Sequence, residues 1–205
     1  NKVIYLKDDE IAILDRHAGV TIKDSKNVVQ KPRIEEISLR IEELEKGGYE
    51  HFMLKEIHQQ PQTVSDCMRG RLKEHEGLVR VGGMEEYAGQ FENAQRIIIA
   101  GCGTSWHAGL IGEYLFEDLA RIPVEVEYAS ELRYRNPVIR EGDIVMAISQ
   151  SGETADTLAA LEHVKSKGAM IYGVVNAVGS SIARLTDAGS YIHSGPEIGV
   201  ASTKA

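Results

Sequence analysis

Two short stretches carry most of the polar chemistry in this chain. The first is Gly101-Cys102-Gly103-Thr104-Ser105, and the second is Ser149-Gln150-Ser151-Gly152-Glu153-Thr154. Each follows a run of apolar residues and precedes a segment with helical spacing. Glycines let the backbone turn tightly and let a ligand approach it. The hydroxyls of Thr104, Ser105, Ser149, Ser151 and Thr154 can donate to an anion. A helix starting just after each loop adds unpaired backbone N–H groups and the positive end of its dipole. Hydrogen bonds to a charged group contribute about 1.5–3 kcal/mol each. Several convergent donors can therefore hold a phosphate without lysine or arginine. Gly101-Cys102-Gly103 lacks the third glycine of the dinucleotide fingerprint, and no Gly-Lys-Ser/Thr follows, so neither that fingerprint nor a P-loop is present.

The remaining chemistry-bearing residues point elsewhere. Cys102 lies in the first loop beside a helix start, but no partner base stands near it in sequence. It reads as a loop-lining thiol rather than a nucleophile. His107 reads as a non-catalytic helix residue, Trp106 as packing, and Glu153 as an acid placed favourably at a helix start. His51, His58, His75, His163 and His193 have no metal-ligand spacing. Cys67 and Cys102 form neither a metal cluster nor a disulfide framework, which suits a reducing cytoplasm.

The elements that must position these loops are legible from periodicity. Ile97-Ile98-Ile99-Ala100, Val124–Tyr128, Asp143–Ile148, Met170–Val175 and Tyr191-Ile192-His193 read as strands. Between them lie helical stretches. One presents Leu110, Ile111, Tyr114, Leu115 and Leu119 on a single face. Another runs from about Thr154 to Lys167 and presents Leu158, Leu161 and Val164. Ser130 is a candidate cap, and 181–185 reads as a short helix. Strands that are apolar throughout and alternate with helices imply a parallel sheet covered on both faces. The fold class is therefore α/β, doubly wound, with ligands expected beyond the carboxyl ends of the strands.

Upstream, Val3–Leu6 and Ile11–Leu14 around Asp8-Asp9 read as a small hairpin, and 15–33 as a polar linker. Ile34, Ile37, Ile41 and Leu44 have helical spacing. A helix covers about 50–59, Pro61 opens another, and Met84 to Phe91 forms a short one. The domain reading is 1–30 as a small β piece and linker, 31–92 as a helical lead-in, and 93–205 as the ligand-binding α/β unit.

Composition bounds the function. The 205 residues include 42% hydrophobic and 6% aromatic residues, with a formal net charge of -8. That charge argues against a general nucleic-acid partner, whose phosphates are met by basic patches. No apolar run approaches the roughly 18 residues of a membrane span, and the N-terminus has no signal-peptide pattern.

The two loops resemble those of the sugar isomerase (SIS) fold, a flavodoxin-like doubly wound architecture. His51-Phe52-Met53-Leu54-Lys55-Glu56-Ile57 with Gln60-Pro61, Met68-Arg69-Gly70-Arg71, and Glu197-Ile198-Gly199-Val200-Ala201-Ser202-Thr203-Lys204-Ala205 extend the likeness. Together they make the whole chain similar to the isomerase half of the glutamine–fructose-6-phosphate aminotransferase family. That resemblance implies binding of fructose 6-phosphate or glucosamine 6-phosphate, in amino-sugar synthesis leading to UDP-GlcNAc. It implies that Ser149, Gln150, Ser151 and Thr154 hold the phosphate. Cys102, Gly103, Thr104 and Ser105 would line the sugar site, with Val200 and Ser202 near it. It also implies chemistry that needs no metal or organic cofactor, and a cytoplasmic homodimer joined through the isomerase half. Residues 1–30 would then be the tail of a glutaminase domain, and 93–205 the first of two SIS subdomains. The family's base, ring-opening histidine and C-terminal lysine would lie in the second, so no catalytic residue is assigned here. A stand-alone phosphosugar sensor is the alternative reading.

Overall fold

The computed structural model describes residues 2–32, 34–36 and 45–205, which fall into two units, Asn1–Glu45 and Lys46–Ala205. In the first unit, β1 (Lys2–Ile4), β2 (Glu10–Asp15), β3 (Gly19–Asp24), β4 (Val29–Gln30) and β5 (Ile34–Glu36) form two antiparallel sheets. The expected hairpin between the first two strands does not form. β1 pairs with β5, and β2 pairs with β3. The cause is local: Asp15 Oδ1 accepts the N–H groups of His17 at 2.8 Å and Ala18 at 2.7 Å, which closes β2 onto β3. Those donors, Ala18 foremost, hold the Asp15 carboxyl below its ordinary pKa. The expected linker at 15–33 therefore contains two strands. Ile34 lies in a strand opposite Ile4 rather than in a helix, and the rest of that expected helix, 37–44, lies outside the described residues.

The second unit begins with α1 (Phe52–Met68), which runs unbroken through Pro61 instead of restarting there. Proline removes one intrahelical bond. Here the freed acceptor belongs to Ile57, an exposed residue that water can reach, while buried Glu56 and Thr63 anchor the helix on both sides of the proline. A small ribbon, β6 (Leu72–Lys73) with β7 (Leu78–Val79), follows. After it, α2 (Gly82–Glu85) and α3 (Ala88–Glu92) divide the single helix expected at 84–91.

The α/β part then alternates: β8 (Arg96–Gly101), α4 (Thr104–Leu115), β9 (Val124–Tyr128), α5 (Ala129–Tyr134), β10 (Asp143–Ser149), α6 (Ala155–Lys165), β11 (Met170–Val175), α7 (Ser181–Leu185) and β12 (Ala188–Tyr191). The sheet order is β12-β11-β10-β8-β9, and every neighbour is parallel. This is the flavodoxin-like order, with its switch point between β8 and β10. Ser130 sits inside α5, whose N-cap position is Tyr128, because the chain is already helical at Ala129. The last strand ends at Tyr191, not His193. Ile192 N still donates to Val175 O at 2.9 Å, and His193 then leaves the extended path with a φ of 61°.

Alternation along the central strands splits the core. Ile98, Ala100, Val145, Ala147 and Ile171 face one side, against Leu132 of α5, Leu161 and Val164 of α6 and Ile182 of α7. Ile97, Ile99, Ile144, Met146 and Tyr172 face the other, against Met84, Phe91 and Phe116. Each fully buried aliphatic side chain contributes about 1.5–3 kcal/mol, so the sheet is the rigid frame of the unit. α4 approaches the sheet through a small residue. Its contact with the sheet is made at Gly109, where a β-carbon would sit 3.0 Å from Ile99 and Val126. Of its apolar face, Leu110 is half-buried, while Ile111, Tyr114 and Leu115, and Leu119 just beyond the helix, are each more than half exposed. At the opposite end of the strands, Arg96 pairs with Asp143 and, at 2.9 Å, with Glu125. The Asp143 carboxylate, acting through its hydrogen bond, holds the Arg96 guanidinium above its ordinary pKa, against desolvation. Among the described residues no helix is long and apolar enough to cross a membrane.

Candidate functional site

β8 and β10 are neighbours in the sheet, with Ala100 opposite Ala147. Their carboxyl ends therefore deliver Cys102–Ser105 and Ser149–Thr154 to the same place. The two loops meet around a cavity of about 340 Å³ lined by Cys102, Gly103, Thr104, Ser105, Ile148, Ser149, Gln150, Ser151, Thr154, Val200, Ala201 and Ser202. All ten residues singled out from the sequence are in this lining. Ile148 and Ala201 were not singled out. Ile148 is the penultimate residue of an apolar strand, and Ala201 lies between two residues that were, so adjacency was the only signal.

Internal bonds fix the second loop. Ser149 is buried, and its Oγ accepts Gly152 N at 3.0 Å and lies 3.5 Å from Thr154 Oγ1. Ser151 Oγ accepts Glu153 N at 3.2 Å. The connection after β11 pins the loop from outside: Ala177 N donates to Gln150 O at 3.2 Å and Ile182 N to Gly152 O at 2.9 Å. Gly152 has a φ of 65°, and a β-carbon there would fall 2.0 Å from Ser180 Oγ. Both the left-handed backbone and the approach of Ser180 require glycine.

The cavity offers hydroxyls and helix starts rather than charge. Thr154 is the N-cap residue of α6 and Gly103 that of α4, so the first-turn N–H groups of both helices begin at the site. Among the described residues, no lysine, arginine, histidine or carboxylate lines it. Ser202 Oγ is shielded from solvent and has no hydrogen-bond partner among the described residues. A buried hydroxyl left in that state is uncommon and suits a site that takes a polar ligand. Such an arrangement can bind and orient an anion. Apart from the Cys102 thiol, 3.9 Å from Thr157 Oγ1, it contains no side chain suited to moving a proton at neutral pH.

The other candidates fall into structural places. Trp106 stacks on Tyr128 with ring centroids 4.3 Å apart, and His107 is exposed beside it. Glu153 turns away from the cavity, where its Oε1 accepts Ser181 N at 2.8 Å and so ties the loop to the start of α7. A larger cavity, about 470 Å³, opens at the amino end of the sheet. Its lining includes Glu141 and Asp143, which would repel an anion.

Comparison with known proteins places this geometry. The SIS domain family model matches residues 90–205, more than half of the chain. Glutamine–fructose-6-phosphate aminotransferase [isomerizing] of Chlorobaculum tepidum is 58% identical over 205 residues, and that of Bacteroides thetaiotaomicron is 59% identical over 205. Both alignments take in 100% of this chain and 33% of the relative. The chain thus spans about a third of the length of the curated relatives it matches. Among solved structures, the C-terminal domain of glucosamine-fructose-6-phosphate aminotransferase from Francisella tularensis superposes with a TM-score of 0.69 at 41% identity. That match covers 78% of this chain and 45% of the other. Glucosamine-6-phosphate deaminase from Thermotoga maritima shares the fold alone, with a TM-score of 0.51 at 20% identity over 70% of this chain and 40% of the other.

Proposed function

The chain belongs to the SIS domain family, and from that premise we propose that the cavity between β8 and β10 holds the phosphate and sugar of fructose 6-phosphate or glucosamine 6-phosphate. The parent activity is the transfer of the glutamine amide nitrogen to fructose 6-phosphate. Ser149, Gln150, Ser151 and Thr154 take the phosphate at the start of α6. Cys102, Gly103, Thr104 and Ser105 take the sugar, with Val200 and Ser202 closing the far side. The observation that carries this reading is the convergence of both hydroxyl-rich loops on one uncharged cavity at the switch point of the sheet. The orphaned hydroxyl of Ser202 adds to it.

The same relatives match the chain from end to end, lead-in included, and this weighs against a stand-alone sensor. Residues 1–30 are then the tail of a glutaminase domain, and the cytoplasm is the compartment. The outward apolar face of α4 suits a homodimer contact, since such faces on soluble proteins commonly mark interaction surfaces. The chain by itself is expected to bind without turnover, because besides the Cys102 thiol the cavity holds no proton-transfer group among the described residues. Production of glucose 6-phosphate from fructose 6-phosphate by this chain would contradict that.

Calorimetry tests the site. Ser149→Ala with Ser151→Ala should weaken glucosamine 6-phosphate binding about tenfold or more, the loss of at least one hydrogen bond to a charged group. Unchanged affinity would move the phosphate elsewhere.

A further inference from the structure

We propose that Glu56, a residue of α1 outside the two loops, is the positioning residue for the wall of the sugar site formed by Val200–Ser202. The proposal rests on the reading of that cavity as the sugar-phosphate site. Residues 197–205 form no regular secondary structure, so their place must come from specific bonds. Glu56 is 2% exposed, and its carboxylate reaches into this segment. Oε1 accepts Ile198 N at 2.6 Å and Gly199 N at 3.1 Å, and Oε2 also accepts Gly199 N at 3.1 Å. An ionised carboxylate bonded to backbone N–H groups is among the stronger hydrogen-bond acceptors in a protein.

The other end of the segment is tied to the same helix. Thr63 Oγ1 donates to Lys204 O at 3.0 Å, Lys204 Nζ to Gln59 Oε1 at 3.0 Å, and Gln60 Nε2 to Thr203 O. Within the segment, Glu197 Oε1 accepts Thr203 N at 2.7 Å and Lys204 N at 3.0 Å. Residues 198–199 and 203–204 are thus held on α1, and the three residues between them span the gap and line the cavity. Gly199 is part of the device. A β-carbon there would stand 2.5 Å from Glu56 Oε2, so only glycine lets the carboxylate approach the backbone this closely. Neither residue touches the cavity, so both act through the segment they hold.

The test combines amide hydrogen exchange with calorimetry on the chain as it stands, using glucosamine 6-phosphate as the probe. Glu56→Ala should speed exchange at Ile198 and Gly199 at least tenfold, leave the amides of β8, β10 and β11 protected, and weaken binding about tenfold or more. Glu56→Gln, which keeps one oxygen acceptor in place, should recover part of both effects. Gly199→Ala should reproduce them with the carboxylate still present, and it carries the test if Glu56→Ala fails to fold. Unchanged exchange at those two amides in the folded variants would overturn the tether. Loosened amides with unchanged affinity would overturn the claim that the tether shapes the site. Failure of the wild-type chain to bind the probe would instead overturn the sugar-phosphate reading, and the exchange result would still decide whether Glu56 holds the segment.

Discussion

Replacing Gly152 with alanine probes the most constrained point of the Ser149–Thr154 loop. Two costs follow from the structure. The residue has a φ of 65°, and a non-glycine residue in the left-handed region costs about 1–2 kcal/mol. The new β-carbon would also fall 2.0 Å from Ser180 Oγ and 2.5 Å from Ser180 Cβ. Ser180 is buried and caps α7 by accepting Ala183 N at 3.5 Å, so pushing it aside sacrifices a cap of about 1 kcal/mol. The sum is about 2–3 kcal/mol. With a urea dependence of about 2 kcal/mol/M, the midpoint should fall by about 1–1.5 M. Fluorescence of Trp106, the single tryptophan, follows the second unit without interference from the first. Adding Ser180→Gly removes the colliding side chain, and glycine at the cap costs only a few tenths of a kcal/mol. The double variant should therefore be about 1 kcal/mol more stable than Gly152→Ala alone. A loss below about 0.5 kcal/mol in the single variant, or no recovery in the double, would refute the reasoning.

Three further predictions follow from other parts of the unit. Asp143→Asn should cost about 2 kcal/mol by urea denaturation, because Arg96 loses its most buried counter-charge while keeping Glu125; a change within 0.5 kcal/mol would mean the pair is inert. Tyr172 is desolvated against Phe91, and this raises its phenol above the ordinary value of 10.0 despite the hydrogen bond to Ser190. Folding thus favours the neutral phenol, so its contribution is complete below about pH 10 and fades as pH rises through the higher folded-state value. Tyr172→Phe should flatten that alkaline decline in a stability-against-pH series, and an identical decline in the variant would exclude Tyr172 as its source. Ile111→Asp with Leu115→Asp should leave folding intact, since both side chains are exposed, and shift any dimer towards monomer in sedimentation velocity; an unchanged mass would place the contact elsewhere.

The central strands were legible because they are buried on both faces, which makes Ile97–Ala100 and Asp143–Ile148 continuous apolar runs. Both loops followed from them, since a parallel sheet fixes where strand ends converge. Burial could not be read where glycine did the packing. The small residue Gly109 turns towards the sheet, while Ile111, Tyr114 and Leu115 of α4, which periodicity set on one face, are exposed. Strands β3 and β4 were missed because their sheet is small, and of its interior only Ile22 is deeply buried, so 15–33 looked like a linker. Pro61 marked a helix start by its local chemistry, and tertiary anchoring through Glu56 and Thr63 overrode it. Glu56 was the least visible of all. In sequence it is an acid in an amphipathic helix, and its role depends on backbone N–H groups more than 140 residues away.

The central claim, that the two hydroxyl-rich loops hold the sugar phosphate, is tested most directly by following backbone amide resonances while glucosamine 6-phosphate is added. The largest shifts should fall on Ser151, Gly152, Thr154 and Ala155, with a second group at Thr104 and Ser105. Shifts centred instead on residues 89–93 and 141–144, around the cavity at the amino end of the sheet, or no shifts at saturating sugar phosphate, would contradict it.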